Sequence, residues 1–195
     1  MSNLSQIRSR ERVRQLAEVY TAKREVHAML DLVKHECARP DSRFLEPSCG
    51  SGNFCVEILA RKLRAVAKKC KTQPTFEFYT LVSVCSVYGV DICEENVVTT
   101  RDRLFIAAHD HYFEQKRNTW KEPPGYFDAL RRVITKNIVQ GDFINGAGHI
   151  ALSEWATPAM GRFKERVYAL SDLGDPDARP IAEARIVSYR GLANA

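Results

Sequence analysis

Residues 44–55 read FLEPSCGSGNFC. Two apolar residues and an acid run into a proline, two glycines follow one residue apart, and an apolar helical pattern begins. Gly50 and Gly52 allow positive φ and a close approach of backbone to ligand. A helix starting near Asn53 presents N–H groups that lack internal acceptors. In an open parallel sheet, ligands bind at the carboxyl ends of the strands, and a strand–glycine turn–helix sequence belongs at such an end.

The alternation continues outward from this turn. Val56, Leu59, Leu63, Val66 and Cys70 define the helix that follows it. SVYGVDI (86–92) reads as a buried strand ending in Asp91, EENVVTTRDRLFIAAHDHYF (94–113) as a helix, and NIVQGDF (137–143) as a strand leading to Asp142. Upstream, residues 11–19 and 25–34 read as helices, joined by YTAK with Thr21 as the expected N-cap. KTQPT (71–75) breaks the third helix, residues 76–86 fit helix or strand, KEPPGY (121–126) is a loop and DALRRVI (128–134) a short helix. Beyond residue 144, HIALSEW, RFKERVYAL and ARIVSYR are candidate strands. The pattern predicts an α/β fold with a mainly parallel central sheet, helices on both faces and a helical N-terminal segment. The expected divisions are 1–35, a ligand-binding core over 36–150, and a strand-rich extension over 151–195.

Composition bounds the function. The chain has 195 residues, 45% hydrophobic and 27% charged, enough for one domain with a sizeable core. No apolar run approaches the ~18 residues that span a bilayer, and MSNLSQIRSRERVR lacks an apolar signal core, so a cytoplasmic protein is expected. The six cysteines form no CxxC pair and read as reduced, mostly buried thiols, with no metal site. His109 and His111, two residues apart on a helix, face different sides. The net charge is +5, and its bases concentrate at Arg8, Arg10, Arg12 and Arg14 and in RKLRAVAKKCK (61–71). Such footprints suit a polyanion such as DNA, or a solvated helix face.

The turn disfavours phosphate ligands. Asp91 lies 39 residues past Gly52, where a dinucleotide fold places its ribose acid about 20 residues on, and the third fingerprint glycine is absent. No GK[ST] phosphate loop occurs. S-adenosylmethionine, with a cationic sulfonium, an amino-acid end and a ribose diol, suits acids at strand ends.

At this level EPSCGSGNF (46–54) resembles motif I of the adenine-N6 DNA methyltransferases of restriction–modification systems. YGVDICEENVVTTRDRL (88–104) is similar to motif II, NIVQGDFI (137–144) to motif III, and EVYTAKREVHAMLDLV (18–33) to motif X, with Ala22 and Lys23 replacing the family's prolines. The resemblance spans roughly residues 11–144. It implies a class I, Rossmann-like methyltransferase fold and S-adenosylmethionine as cofactor. It implies that Tyr20 and Thr21 contact the methionine end, and that Glu46, Pro47, Cys49, Gly50 and Gly52 form the cradle, closed by Asn53 and Phe54. Asp91 is implied to hold the ribose hydroxyls, Ile92 to pack on adenine, Asp142 to accept from the adenine amine, and Phe143 to lie beside the ring.

One family element is missing. Transfer to an adenine amine uses an Asp- or Asn-Pro-Pro-aromatic loop whose ring stacks on the flipped base. No such tetrapeptide follows Asp142; the lookalike EPPGY (122–126) precedes motif III and begins with Glu. ALSEWATPAMGRFKERVYALSDL (151–173) is similar to the tail of small methyltransferase subunits that also lack the motif, and no room for a target-recognition domain is expected before Ala195. No catalytic residue is therefore assigned in this chain. Three readings remain: a split adenine methyltransferase completed by a partner polypeptide, a catalytically silent cofactor-binding module of a restriction-type complex, or an RNA or small-molecule methyltransferase.

Overall fold

A computed structural model of the chain describes residues 21–121, 123–172 and 174–194. It is a mixed α/β protein. Helices α1 (Lys23–Asp31) and α2 (Lys34–Cys37) precede strand β1 (Phe44–Glu46). Helices α3 (Asn53–Lys69) and α4 (Gln73–Cys85) lead to β2 (Val87–Asp91), and α5 (Glu94–Gln115) and α6 (Tyr126–Asn137) lead to β3 (Ile138–Gln140). The three strands form a parallel sheet in the order β1-β2-β3, with Glu46 beside Gly89 and Asp91 beside Gln140. β2 is central and buried along its whole length.

A second sheet departs from the expected architecture. Strands β4 (Ala151–Ala159), β5 (Arg162–Ala169), β6 (Ala182–Glu183) and β7 (Val187–Ser188) pair antiparallel around β5. One face of the parallel sheet packs on residues of this region rather than on helices: Leu45, Val90 and Val139 meet Ile150, Leu152 and Leu170. The Tyr88 hydroxyl donates to the Ser153 carbonyl at 3.0 Å. Helices α3 to α6 contribute to the main core, which Trp155 and Phe163 of the second sheet also enter. The expectation of helices on both faces is thus corrected, because Leu152 of β4 and the flanking Ile150 and Leu170 cover this face instead.

Buried polar groups fasten the layers. Asn137 donates to the carbonyls of Val84, Cys85 and Val87 and accepts from Trp155 Nε1 at 2.7 Å. Glu165 accepts from Ser153 Oγ at 2.6 Å and Arg132 at 2.9 Å. Fully buried Glu77 on α4 accepts from the Tyr189 hydroxyl at 2.6 Å and Arg190 at 3.1 Å, holding down the last described turn. Each bond prevents the desolvation loss that an orphaned buried group would carry.

Several local expectations change. α4 is a helix with Pro74 in its first turn, where a missing N–H costs little; nearly all of its side chains from Phe76 onward are buried, so it shows no single period. The N-cap of α1 is Ala22 rather than Thr21, and Glu25 accepts the Ala22 N–H at 3.1 Å. α6 runs longer at both ends than DALRRVI. Within the basic run, Lys62 belongs to the core: its ammonium donates to the carbonyls of Arg39, Pro40 and Ser42 and pins the chain ahead of β1. Burial lowers its pKa to about 8. No disulfide joins the cysteines among the described residues, and Cys37, Cys49, Cys55 and Cys85 are buried.

Candidate functional site

The glycine turn lies between β1 and α3, and both of its glycines are left-handed. Gly50 has φ +52° and Gly52 φ +84°. The Cys49 N–H donates to the Val90 carbonyl and the Gly52 N–H to the Cys49 carbonyl, closing the turn against the central strand. The two glycines differ in their surroundings. A Cβ on Gly50 meets nothing within 4 Å, whereas one on Gly52 comes within 2.7 Å of Thr100 Cγ2 on α5. Gly50 therefore faces open space, and Gly52 is a close-packing position. The expectation that both line a cradle is refined by this asymmetry.

Asp91, at the end of β2, reaches the same turn. Its carboxylate accepts from the Gly50 N–H at 2.7 Å, the Cys93 N–H at 2.9 Å and Asn96 Nδ2 at 3.2 Å, and the residue is 6% exposed. One side chain thus ties the glycine turn to the start of α5. The Ile92 side chain beside it is exposed, and its carbonyl accepts from Gln140 at the end of β3.

Helix α5 grips the turn from outside. Thr100 Oγ1 donates to the Gly50 carbonyl at 2.9 Å, and Arg103 donates to the Ser51 carbonyl and to Asn53 Oδ1 at 3.0 Å. Asn96, Thr100 and Arg103 are spaced by four and three residues, so they share one helix face. The sequence reading missed this stripe. Its signal was three polar residues at helical spacing on the same side as apolar Val97 and Leu104. Asn53 Nδ2 in turn donates to the Thr21 carbonyl at 3.3 Å, which brings the chain just ahead of α1 to the turn. Tyr20 and the basic residues Arg8, Arg10, Arg12 and Arg14 lie outside the described residues.

The remaining expected residues divide. Pro47 is exposed and Phe54 half-buried against the main core. Cys49 is buried, its side chain is in contact range of Gly89, and burial pushes its thiol up to about 12, so it is inert at neutral pH. Asp142 sits in the turn after β3, where its carboxylate accepts from the Ile144 and Asn145 N–H groups and from Asn145 Nδ2; these bonds hold its pKa below the usual range. Phe143 packs on the smaller core cluster with Ile150 and Leu170. In EPPGY, Tyr126 is wholly buried at the start of α6 and Gly125 adopts φ +71°, so its ring is not presented to a ligand.

Glu46 is the least satisfied of the three strand-end acids. It accepts one long bond, from the Ser48 N–H at 3.4 Å, and burial raises its pKa. A carboxyl whose folded pKa is raised favours folding below its unfolded pKa and loses that contribution as pH rises through the folded value. Glu46→Gln is accordingly expected to raise the unfolding midpoint of the ligand-free protein at neutral pH, with the difference vanishing in acid. A cation bound beside Glu46 reverses the sign, so its affinity rises with pH across that range and falls in Glu46→Gln. Thermal melts and titration calorimetry at several pH values measure both.

Among the described residues, no group of three or more His, Cys, Asp or Glu is placed to hold a metal ion, and no helix is long and apolar enough to cross a membrane. His111 stacks on Phe76 and bonds the Leu63 carbonyl, while His109 packs among Phe105, Phe113 and Phe127. No protein-family model, curated protein or solved structure matches the chain.

Proposed function

We propose that this chain is the S-adenosylmethionine-binding part of a DNA adenine-N6 methyltransferase of a restriction–modification or related system, completed by a second polypeptide. The observation that carries the reading is the glycine turn: two left-handed glycines between a parallel strand and a helix, one of them facing open space, with acids at the adjoining strand ends. The donor set fits the cofactor. Half-buried Glu46 suits a cationic amino-acid end, exposed Ile92 suits an adenine face, and the first N–H groups of α3 are donors a helix leaves unsatisfied. S-adenosylmethionine, when bound, supplies an electrophilic methyl group. The role of this chain is to bind and orient it.

The sheet order favours a two-chain enzyme. β1 is an edge strand among the described residues, and a doubly wound sheet places its next strand beside the first, at the point where the order reverses. A cavity of about 520 Å³ between the two sheets is lined by Phe44 and Leu45 of β1, Tyr88 of β2 and Leu152 and Tyr168 of the second sheet. A partner strand docked beside β1 would deliver its following loop to the carboxyl end of β1. Asp91 supports the turn rather than standing free, so its proposed contact with the ribose is made from lone pairs its three donors leave open.

Titration calorimetry of the purified full chain tests the reading. Binding of S-adenosylmethionine is expected, with no methyl transfer to DNA until a polypeptide carrying a Pro-Pro-aromatic loop is added. A folded chain that does not bind the cofactor sinks the assignment, and robust DNA methylation by the single chain sinks its split form.

A further inference from the structure

A groove of about 480 Å³ separates α1 and α2 from the distal half of α3. Lys34 lines one side, and Arg61, Arg64, Lys68 and Lys69 line the other. Ala38 and Ala65 also line it, and these small side chains leave room between the cationic walls. Glu57 is the single carboxylate in the lining, and its Oε1 is already shared by Arg61 at 3.0 Å, Arg64 at 3.1 Å and His27 at 3.5 Å. Arg61 is further fixed by Asp31 at 2.7 Å and the His27 carbonyl at 3.2 Å, with its side chain only 13% exposed. It serves as scaffold. Lys34, Lys68 and Lys69 are exposed and make no ion pair among the described residues, and Arg64 keeps a side chain 57% exposed. These four cations point the field of the groove outward.

We propose that this groove seats the phosphodiester backbone of duplex DNA and acts as an anchor blind to sequence. The choice of duplex DNA among polyanions rests on the methyltransferase reading; the groove itself rests on charge and shape. Lysine and arginine on phosphates fix position without reading bases, and the lining offers no Asn or Gln for a base edge. Residues 64–69 lie 11–16 positions beyond Asn53, roughly 16–24 Å along the helix at ~1.5 Å per residue. DNA held there is anchored away from the glycine turn, so target selection falls to another element of the complex.

The test uses the full chain without cofactor and two fluorescein-labelled duplexes of unrelated sequence, followed by anisotropy over a range of KCl concentrations. Lys34→Gln/Lys68→Gln/Lys69→Gln is expected to weaken both duplexes equally and to make the log–log salt slope shallower by about 2–3, at ~0.9 per phosphate contact. The triple Lys→Arg version keeps the charge and is expected to keep the slope. Both comparisons are repeated with Arg8, Arg10, Arg12 and Arg14 changed to Gln, so that the N-terminal bases are separated from the groove. An unchanged slope in a Lys→Gln triple variant of unaltered thermal midpoint overturns the groove assignment, as does loss of all DNA affinity with the four arginines alone. Tighter binding of duplex RNA of the same sequence overturns the choice of DNA. Cofactor binding plays no part in these readings, so failure of the methyltransferase assignment is detected separately.

Discussion

Asp91→Ala is expected to lower the thermal midpoint of the chain by roughly 6–24 °C, a larger effect than any loss of ligand contact alone. The carboxylate is 6% exposed and accepts from two backbone N–H groups and one amide. Bonds to a buried charged acceptor are worth about 1.5–3 kcal/mol each, and removing it leaves buried donors unpaired. Allowing for non-additivity, about 3–6 kcal/mol is lost, at ~2–4 °C per kcal/mol for a domain of this size. Asp91→Asn retains one acceptor but turns an NH₂ group toward a donor, so an intermediate loss is expected. Differential scanning calorimetry measures the series. An alanine variant that melts like the wild type shows that Asp91 does not hold the turn.

The second large effect separates the two glycines. Gly52→Ala forces a Cβ to within 2.7 Å of Thr100 at φ +84°. The left-handed backbone costs an alanine about 1–2 kcal/mol and the overpacking about 1–3 kcal/mol more, so this variant is expected to lose stability first. Thr100→Ser removes the clashing methyl, keeps the hydroxyl that bonds the Gly50 carbonyl, and is expected to rescue part of the loss. Gly50→Ala meets no neighbour, so its stability cost is about 1–2 kcal/mol from φ alone, while its methyl enters the space assigned to the ligand. Its expected signature is a modest melt shift with at least tenfold weaker S-adenosylmethionine binding, or 1.4 kcal/mol. Equal affinities in Gly50→Ala and wild type mean that the ligand does not approach there.

These contrasts show where reading the chain stops. Short-range physics was legible from residues alone. That Gly50 and Gly52 can take positive φ follows from sterics at single positions, the order of strand, turn and helix from local periodicity, and the acids near strand ends from their place beside buried runs. The burial of most of the thiols was legible too, since cysteine is among the residue types most often buried.

Tertiary structure decided what those groups face. Gly50 and Asp91 are 41 residues apart, and Arg43 and Glu154, joined at 2.8 Å, are 111 apart. No local pattern encodes such pairings. The same limit hid the identity of Lys62, which reads as one charge in a basic run and is in fact a core pin, since helical phase fixes a face but not what covers it. It hid the burial of Tyr126, the polar stripe of α5 and the antiparallel pairing of the C-terminal strands as well. The sequence by itself indicated most of the strands and helices of the parallel sheet and the acids near the strand ends; only the packing of distant segments decided which glycine faces open space, which acid is already engaged and which cations remain exposed. The reason is physical: backbone preference acts over a few residues, whereas burial and hydrogen-bond partnership are properties of the assembled chain.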